Sequence, residues 1–466
     1  MRRNLEKHLI KKTLTETLAL VCVLGGAVLA MGAPRAAGQT RTDLVFTRDV
    51  LPIIQESFLP LLTEDTGLDG ESWESLMRGS EQGEVVIPFD ADRSLLVERA
   101  EQEGVDPAAI ARVRSWIESG APSDDGKIAY ADAGPFLYVC NQGSGVISII
   151  DMEAHVVART VDLRDFGFSE NAKPHHVAVT PDGAFWYVSL IGEHTVLKFN
   201  RDNELVGRTA FEAPGMLAFD PVLEQLYVGR SMTAVNPPQR IGVIEPDGMD
   251  IEEIDVFHPR PHALNVTPDG KYVFSASLGM NQIAVVDAES MDIELVPVPG
   301  AHHSLVQFAV APDGHSMIVG GHMSGDILFL DITEPMQPSV TYTLPLGGGP
   351  WHPSFLPGGD RVVFPAKMAN AVAILDLATG TEIERISGHG LAEPHGSAVR
   401  PDGRYIYVSS NNLNAAFTPR YHREDNDSPN GSVAVIDANT FDIVKVIEVE
   451  QYPTGIGAQR DETTAR

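Results

Sequence analysis

Pro174 to Val188 reads PHHVAVTPDGAFWYV: a Pro-His step, a short apolar run, a Pro-Asp-Gly turn and a second apolar run. The phrase returns as PHALNVTPDGKYVF from Pro261, FAVAPDGHSMIV from Phe308, PSFLPGGDRVVF from Pro353 and PHGSAVRPDGRYIYV from Pro394. The turn prolines Pro181, Pro221, Pro268, Pro312, Pro357 and Pro401 stand 40, 47, 44, 45 and 44 residues apart. Each unit goes on to a third run closing on an acidic residue (IAVVD at Asp287, VAILD at Asp376, VAVID at Asp437) and a fourth, such as IVKVIEV from Ile443. Four short strands per unit, with no stretch left for an amphipathic helix, are the pattern of β-propeller blades, which recur every ~40–45 residues. The count gives a mainly β fold, a seven-bladed β-propeller over residues 130–460. The first blade opens at FLYV (Phe136) without a leading strand, and YPTGIGA from Tyr452 copies the blade-opening phrase. That last segment is expected to complete the first blade and so remove the free sheet edges.

The repeated P-H-x-x-x-V-x-P-D-G-x-x-x-Y-V, followed by V-x-V-I-D, resembles the YVTN-type repeat of bacterial extracytoplasmic seven-bladed propellers. The resemblance covers about 330 residues and implies that propeller fold, shared in shape with the catalytic domain of nitrous oxide reductase, the haem d1 domain of cytochrome cd1 nitrite reductase and lactonase-type propellers. Fold alone does not choose among those activities.

Upstream, residues 1–38 carry Arg2, Arg3, Lys7, Lys11 and Lys12, then LALVCVLGGAVLAMGA from Leu18, then small residues to Gly38. The composition predicts a signal peptide, an exported (periplasmic or otherwise extracytoplasmic) protein and no stable membrane span after cleavage. The two cysteines are Cys22, inside that segment, and Cys140, on a predicted strand. A disulfide within the mature chain and a Cys-rich zinc site are thereby excluded, and Cys140 reads as a small buried residue.

Residues 42–123 predict a small mainly α domain, with PAAIARVRSWIESG placing Ile110, Val113, Trp116 and Ile117 on one face. The phrases RDVLPII (Arg48), GLDGESWESLMRGS (Gly67) and SWIESGAP (Ser115) resemble the planctomycete-type cytochrome c domain. The C-x-x-C-H that this family uses to attach haem is missing, with Phe58, Leu61 and Leu62 of SFLPLLT near the expected thiol and imidazole positions. No covalent haem c is expected, and the segment reads as a degenerate, haemless domain that docks on the propeller.

Of 34 basic and 64 acidic residues, 28 and 62 remain beyond residue 38, a net charge of −34 that disfavours nucleic acid and anionic lipid as partners. Seven of fifteen histidines fall at or near the start of predicted innermost strands: His175, His176, His262, His302, His303, His352 and His395. These starts, from the second, fourth, fifth, sixth and seventh blades, converge on one end of the propeller axis. Neutral imidazoles from several blades suit copper or another transition metal, so the seven are candidate metal ligands. Strand alternation places His176 and His352 on the opposite face from His175, His262 and His395. Three functions stay open: an exported metalloprotein, copper favoured, which as an enzyme would be a metal-dependent oxidoreductase; a non-catalytic interaction propeller; and a lactonase- or lyase-like hydrolase with a histidine base. The partner is accordingly a small molecule or another exported protein.

Overall fold

The computed structural model describes residues 44–459 except 67, 81–82, 132–133, 233–238 and 420–428. The expected signal segment with Cys22, and Tyr421, His422 and Arg423 of the long insertion, lie outside the described residues. The described strands form seven four-stranded antiparallel sheets. In six of them the strands follow chain order from the axis outward; the first blade runs Pro453–Ala458, Phe136–Asn141, Val146–Asp151, Val156–Asp162. The last strand therefore closes the ring, pairing Ile456 with Val139 and Pro453 with Asn141.

The repeat folds this way because each element of the phrase satisfies a local demand. In the Pro-Asp-Gly turns the aspartate closes its own loop: Asp182 Oδ1 accepts from Thr180 Oγ1 at 2.6 Å and from the Ala184 amide at 3.0 Å, and Asp269 does the same with Thr267 and Lys271. The β-branched and aromatic runs bury both faces of each sheet, and among the described residues seven apolar clusters of the ring each span two neighbouring blades, with a small eighth of Leu278, Val306 and Trp351 across three. Val188 and Trp186 pack on Tyr138 and Ile147 between the second and first blades, and Phe274 packs on Phe308 between the fourth and fifth. Cys140 is buried in the first of these clusters, where burial pushes its thiol pKa up.

Before the propeller the chain is helical over residues 46–66, 73–78, 95–102 and 107–118. These helices share an apolar core of Phe46, Ile54, Phe58, Leu62, Trp73, Met77, Val113, Trp116 and Ile117. The indoles of Trp73 and Trp116 donate to the Ala121 and Pro122 carbonyls at 2.8 and 2.9 Å, which satisfies their polar edges. No helix among the described residues is long and apolar enough to cross a membrane.

The helical segment lies against the junction of the first and seventh blades, where Ile87 enters their shared apolar cluster. Arg93 holds three carboxylates there: Asp90 at 3.0 Å, Asp162 of the first blade at 2.9 Å and Glu450 of the seventh at 2.8 Å. Arg93→Ala leaves all three without their shared cation, and a loss of about 2 kcal/mol is expected. A urea melt, with limited proteolysis of the stretch from 119 to 135, checks it; unchanged values would assign the contact no weight.

Candidate functional site

Every inner strand starts the same way. The residue ahead of it has a left-handed backbone: Lys173, Ala213, Arg260, Ser304, Gly349, Glu393 and Tyr452 have φ between 45° and 60°. The next residue is Pro174, Pro214, Pro261, Leu305, Pro350, Pro394 or Pro453, each pairing with the neighbouring strand. In six of the seven blades the ladder then shifts register, as between Pro174 and His176, between Pro261 and Ala263 and between Pro394 and Ser397. A kinked entry followed by a bulge re-aims the first side chains of the strand toward the axis.

This entry corrects the expected segregation of the histidines by strand alternation. His175 lies 5.8 Å from His262 and 6.5 Å from His395, ring centre to ring centre, and His176 lies 6.4 Å from His352. The two sets join through His352 and His395, at 4.7 Å. The bulge breaks the two-residue period at this point, so consecutive histidines reach one cluster.

His302 and His303 stay out of it. The fifth blade puts Leu305 where other blades put proline, so the pair falls on the preceding loop. His302 is exposed. His303 is buried, with its backbone amide on Asn281 Oδ1, Nδ1 on Ser324 Oγ at 2.8 Å and Nε2 on the Pro299 carbonyl at 2.9 Å. Both ring nitrogens of His303 are committed to the loop. Met216, at the third-blade position, is fully buried in the apolar cluster between the third and fourth blades.

The five clustered rings differ in what their nitrogens offer. His262 Nδ1 sits 2.7 Å from the Val306 carbonyl, which can only accept, so Nδ1 carries the proton and Nε2 keeps its lone pair. His175 Nδ1 meets Gln142 Oε1 at 3.1 Å in the same sense, leaving a buried Nε2 with no partner. His352 Nε2 and His395 Nδ1 are also buried and unpartnered. In His176, Nδ1 accepts from the Leu217 amide at 3.3 Å, so its lone pair is already used. Burial, then neighbouring rings, holds the pKa of His175, His352 and His395 well below the usual value. Burial also lowers His262 to about 4 and His176 to about 3. All five rings are neutral at pH 7, the form that ligates metals. Among the described residues, however, no group of three or more His, Cys, Asp or Glu side chains stands so as to hold a metal ion.

A second set of residues stands one past the partner of each entry residue: Gln142, Ile191, Ser231, Leu278, His322, Lys367 and Asn411; of these Gln142 meets His175, and Leu278, His322 and Lys367 lie against Trp351. Lys367 is the member sequence reading missed. Its Nζ donates to Asn411 Oδ1 and stands 5.2 Å from the Trp351 ring and 5.9 Å from the Tyr452 ring. Burial lowers its pKa to about 8. Trp351 itself packs on His322 at 4.5 Å and on His395 at 5.0 Å. The signal that finds six of these residues is the fixed offset of sixteen positions between entry residue and partner, as from Pro174 to Leu190 and from Pro350 to Ala366; only the closing strand, where Pro453 pairs with Asn141, departs from it.

No protein-family model and no curated protein matches the chain. Among solved structures it is similar to a functionally unknown protein from Desulfotomaculum acetoxidans, at TM-score 0.55 and 13% identity over 71% of this chain and 100% of that one. A proposed 6-phosphogluconolactonase from Bacteroides fragilis gives TM-score 0.51 and 16% identity, covering 71% of this chain and 99% of its own. Hydrazine synthase of Kuenenia stuttgartiensis gives 0.47 and 20%, over 57% and 77%. At such identities the first two likenesses speak for shared architecture alone, and with the seven closed sheets they make this chain a seven-bladed β-propeller protein.

Proposed function

We propose that this is an exported metalloprotein whose propeller mouth binds a transition-metal ion through His175, His262, His352 and His395. The observation that carries the reading is the set of unpartnered, buried, neutral imidazole nitrogens on three of those rings, with the fourth locked in the tautomer that leaves Nε2 free. An imidazole whose far nitrogen donates to a carbonyl is the usual arrangement of a ligating histidine, and both His262 and His175 have it. Imidazole donors suit copper, zinc, iron and nickel alike, and copper stands highest in the general affinity order; when bound it would supply one-electron redox chemistry. The chain's own contribution is to hold four neutral rings at a desolvated mouth; ligation needs rotation of rings that now pack edge to face. His176 is held back by the Leu217 amide, and His302 and His303 are not in the set.

The helical segment fits the docking role that its sequence suggests. Phe58 and Leu62, where the resembled cytochrome family places its haem attachment, fill the apolar core, and Arg93 ties the segment to two blades.

Elemental analysis of untagged protein tests the metal reading: about one copper per chain is expected, falling at least tenfold in His262→Ala, which removes a ligand together with its orienting hydrogen bond. A thermal melt run alongside keeps loss of metal apart from loss of fold. A specific observation favours a second reading: among the described residues no three donors are already converged. Full-length protein that takes up no copper, zinc or iron on reconstitution overturns the metal site and makes a non-catalytic exported interaction propeller the better account.

A further inference from the structure

Beside the histidine cluster, Trp351 and Lys367 present hydrogen-bond donors that lack acceptors. Trp351 is 6% exposed and its Nε1, which can only donate, is buried without a partner. Lys367 has three N–H donors, of which Asn411 takes one. Among the described residues no carboxylate forms an ion pair with it. Glu393 attracts the ammonium from further off, while its Oε2 accepts from the Asn414 amide at 2.8 Å. The ammonium is thus held between two aromatic rings, and it is the cation whose charge acts on both His352 and His395.

We propose that Lys367 and Trp351 form an anion-binding corner at the propeller mouth that takes a small monocarboxylate. The chemistry sets the class. A lone ammonium and a lone indole N–H both need acceptor oxygens, and a carboxylate has two to share. One positive charge balances one negative charge, whereas a phosphate dianion calls for a second cation. Such a charge is otherwise unfavourable in a chain with 64 acidic and 34 basic residues, so the corner is selective by its local field. Access is from the Lys367 side, where the lysine is only partly buried and its neighbour Met368 is 75% exposed; the Trp351 Nε1 is buried, so a carboxylate reaches it only by moving the side chains that cover it. Neither donor group is one of the proposed ligands, although Trp351 packs on His395.

The test uses acetate as the probe on full-length, chelator-treated protein at constant ionic strength, followed by calorimetry and tryptophan emission. Wild type is expected to bind acetate saturably, and Lys367→Met to weaken it at least tenfold. Lys367→Arg retains the charge and should stay within about threefold of wild type. Trp351→Phe keeps the ring, loses the N–H, and should weaken binding several-fold by calorimetry. A thermal melt confirms that each variant is folded. Equal responses of wild type and folded Lys367→Met, including no response in either, overturn the proposal. Because the titration is done without metal, and metal uptake is measured in acetate-free buffer, the two readings fail separately.

Discussion

Acidification from pH 7 to pH 4 is expected to unfold the propeller cooperatively, with the loss of stability beginning above the pKa of ordinary carboxylates, ~3.9–4.3. The cause is the buried histidines. His262 and His258 are lowered to about 4, and His175, His352 and His395 are held well below the usual value, burial being the first cause in each. The sign follows from linkage. Above about pH 6.5 these rings are neutral in both folded and unfolded chains and contribute nothing to the pH dependence. Below it the unfolded chain binds protons that the folded chain refuses, so stability falls as pH falls toward the folded pKa values. Each ring costs about 1.4 kcal/mol per pH unit in that window. Five together approach the whole stability of an ordinary domain, ~5–15 kcal/mol, within one to two units. Circular dichroism against pH checks this, with His395→Gln expected to move the midpoint to lower pH. A flat stability down to pH 4 would show that the rings take up protons without leaving the fold.

Gly455→Val is expected to be the most damaging single substitution at the ring closure. A Cβ at Gly455 would stand 2.2 Å from the His175 carbonyl oxygen and 2.9 Å from His176 Cα, both backbone atoms of the adjacent inner strand. Neither can turn aside as a side chain tip can, so the last strand or the second blade must shift. The expected cost is about 2–4 kcal/mol, at the upper end for overpacking. It falls on the strand that carries the first histidine pair. Gly279→Ala, whose nearest neighbour is 3.5 Å away, is the control and should change stability by no more than about 0.5 kcal/mol. Thermal melts of the two variants decide it; similar midpoints would mean that the closure yields easily.

The blades were legible because the repeat states its own chemistry. Pro-Asp-Gly predicts the turn that Asp182 and Asp269 close, and YPTGIGA predicts the strand that pairs with Val139. Convergence of His175, His176, His262, His352 and His395 was legible for the same reason. What could not be read was the conformation before each inner strand. Lys173, Ala213, Arg260, Ser304, Glu393 and Tyr452 share a left-handed backbone but no chemistry, so the tertiary packing of the ring imposes it. The bulges that follow are likewise silent in sequence, and alternation therefore misplaced His176 and His352. His302 and His303 entered the candidate set because they lie near the start of the fifth inner strand; Leu305 occupies the entry position there, which leaves the pair on the loop before it. Lys367 was hidden because its counterparts in other blades, Ile191, Leu278 and Asn411, have nothing in common with it.

Arg93 bridges Asp162 and Glu450, two residues nearly three hundred positions apart in the chain. Only the Glu450 part of that binding place needs the seventh blade to stand beside the first; Asp162, and the Thr160 hydroxyl that donates to Asp90, belong to the first blade alone. Two of the three carboxylates around Arg93 are thus supplied without closure of the ring, and the third arrives only with it. The completed circle is written into the grip on one arginine.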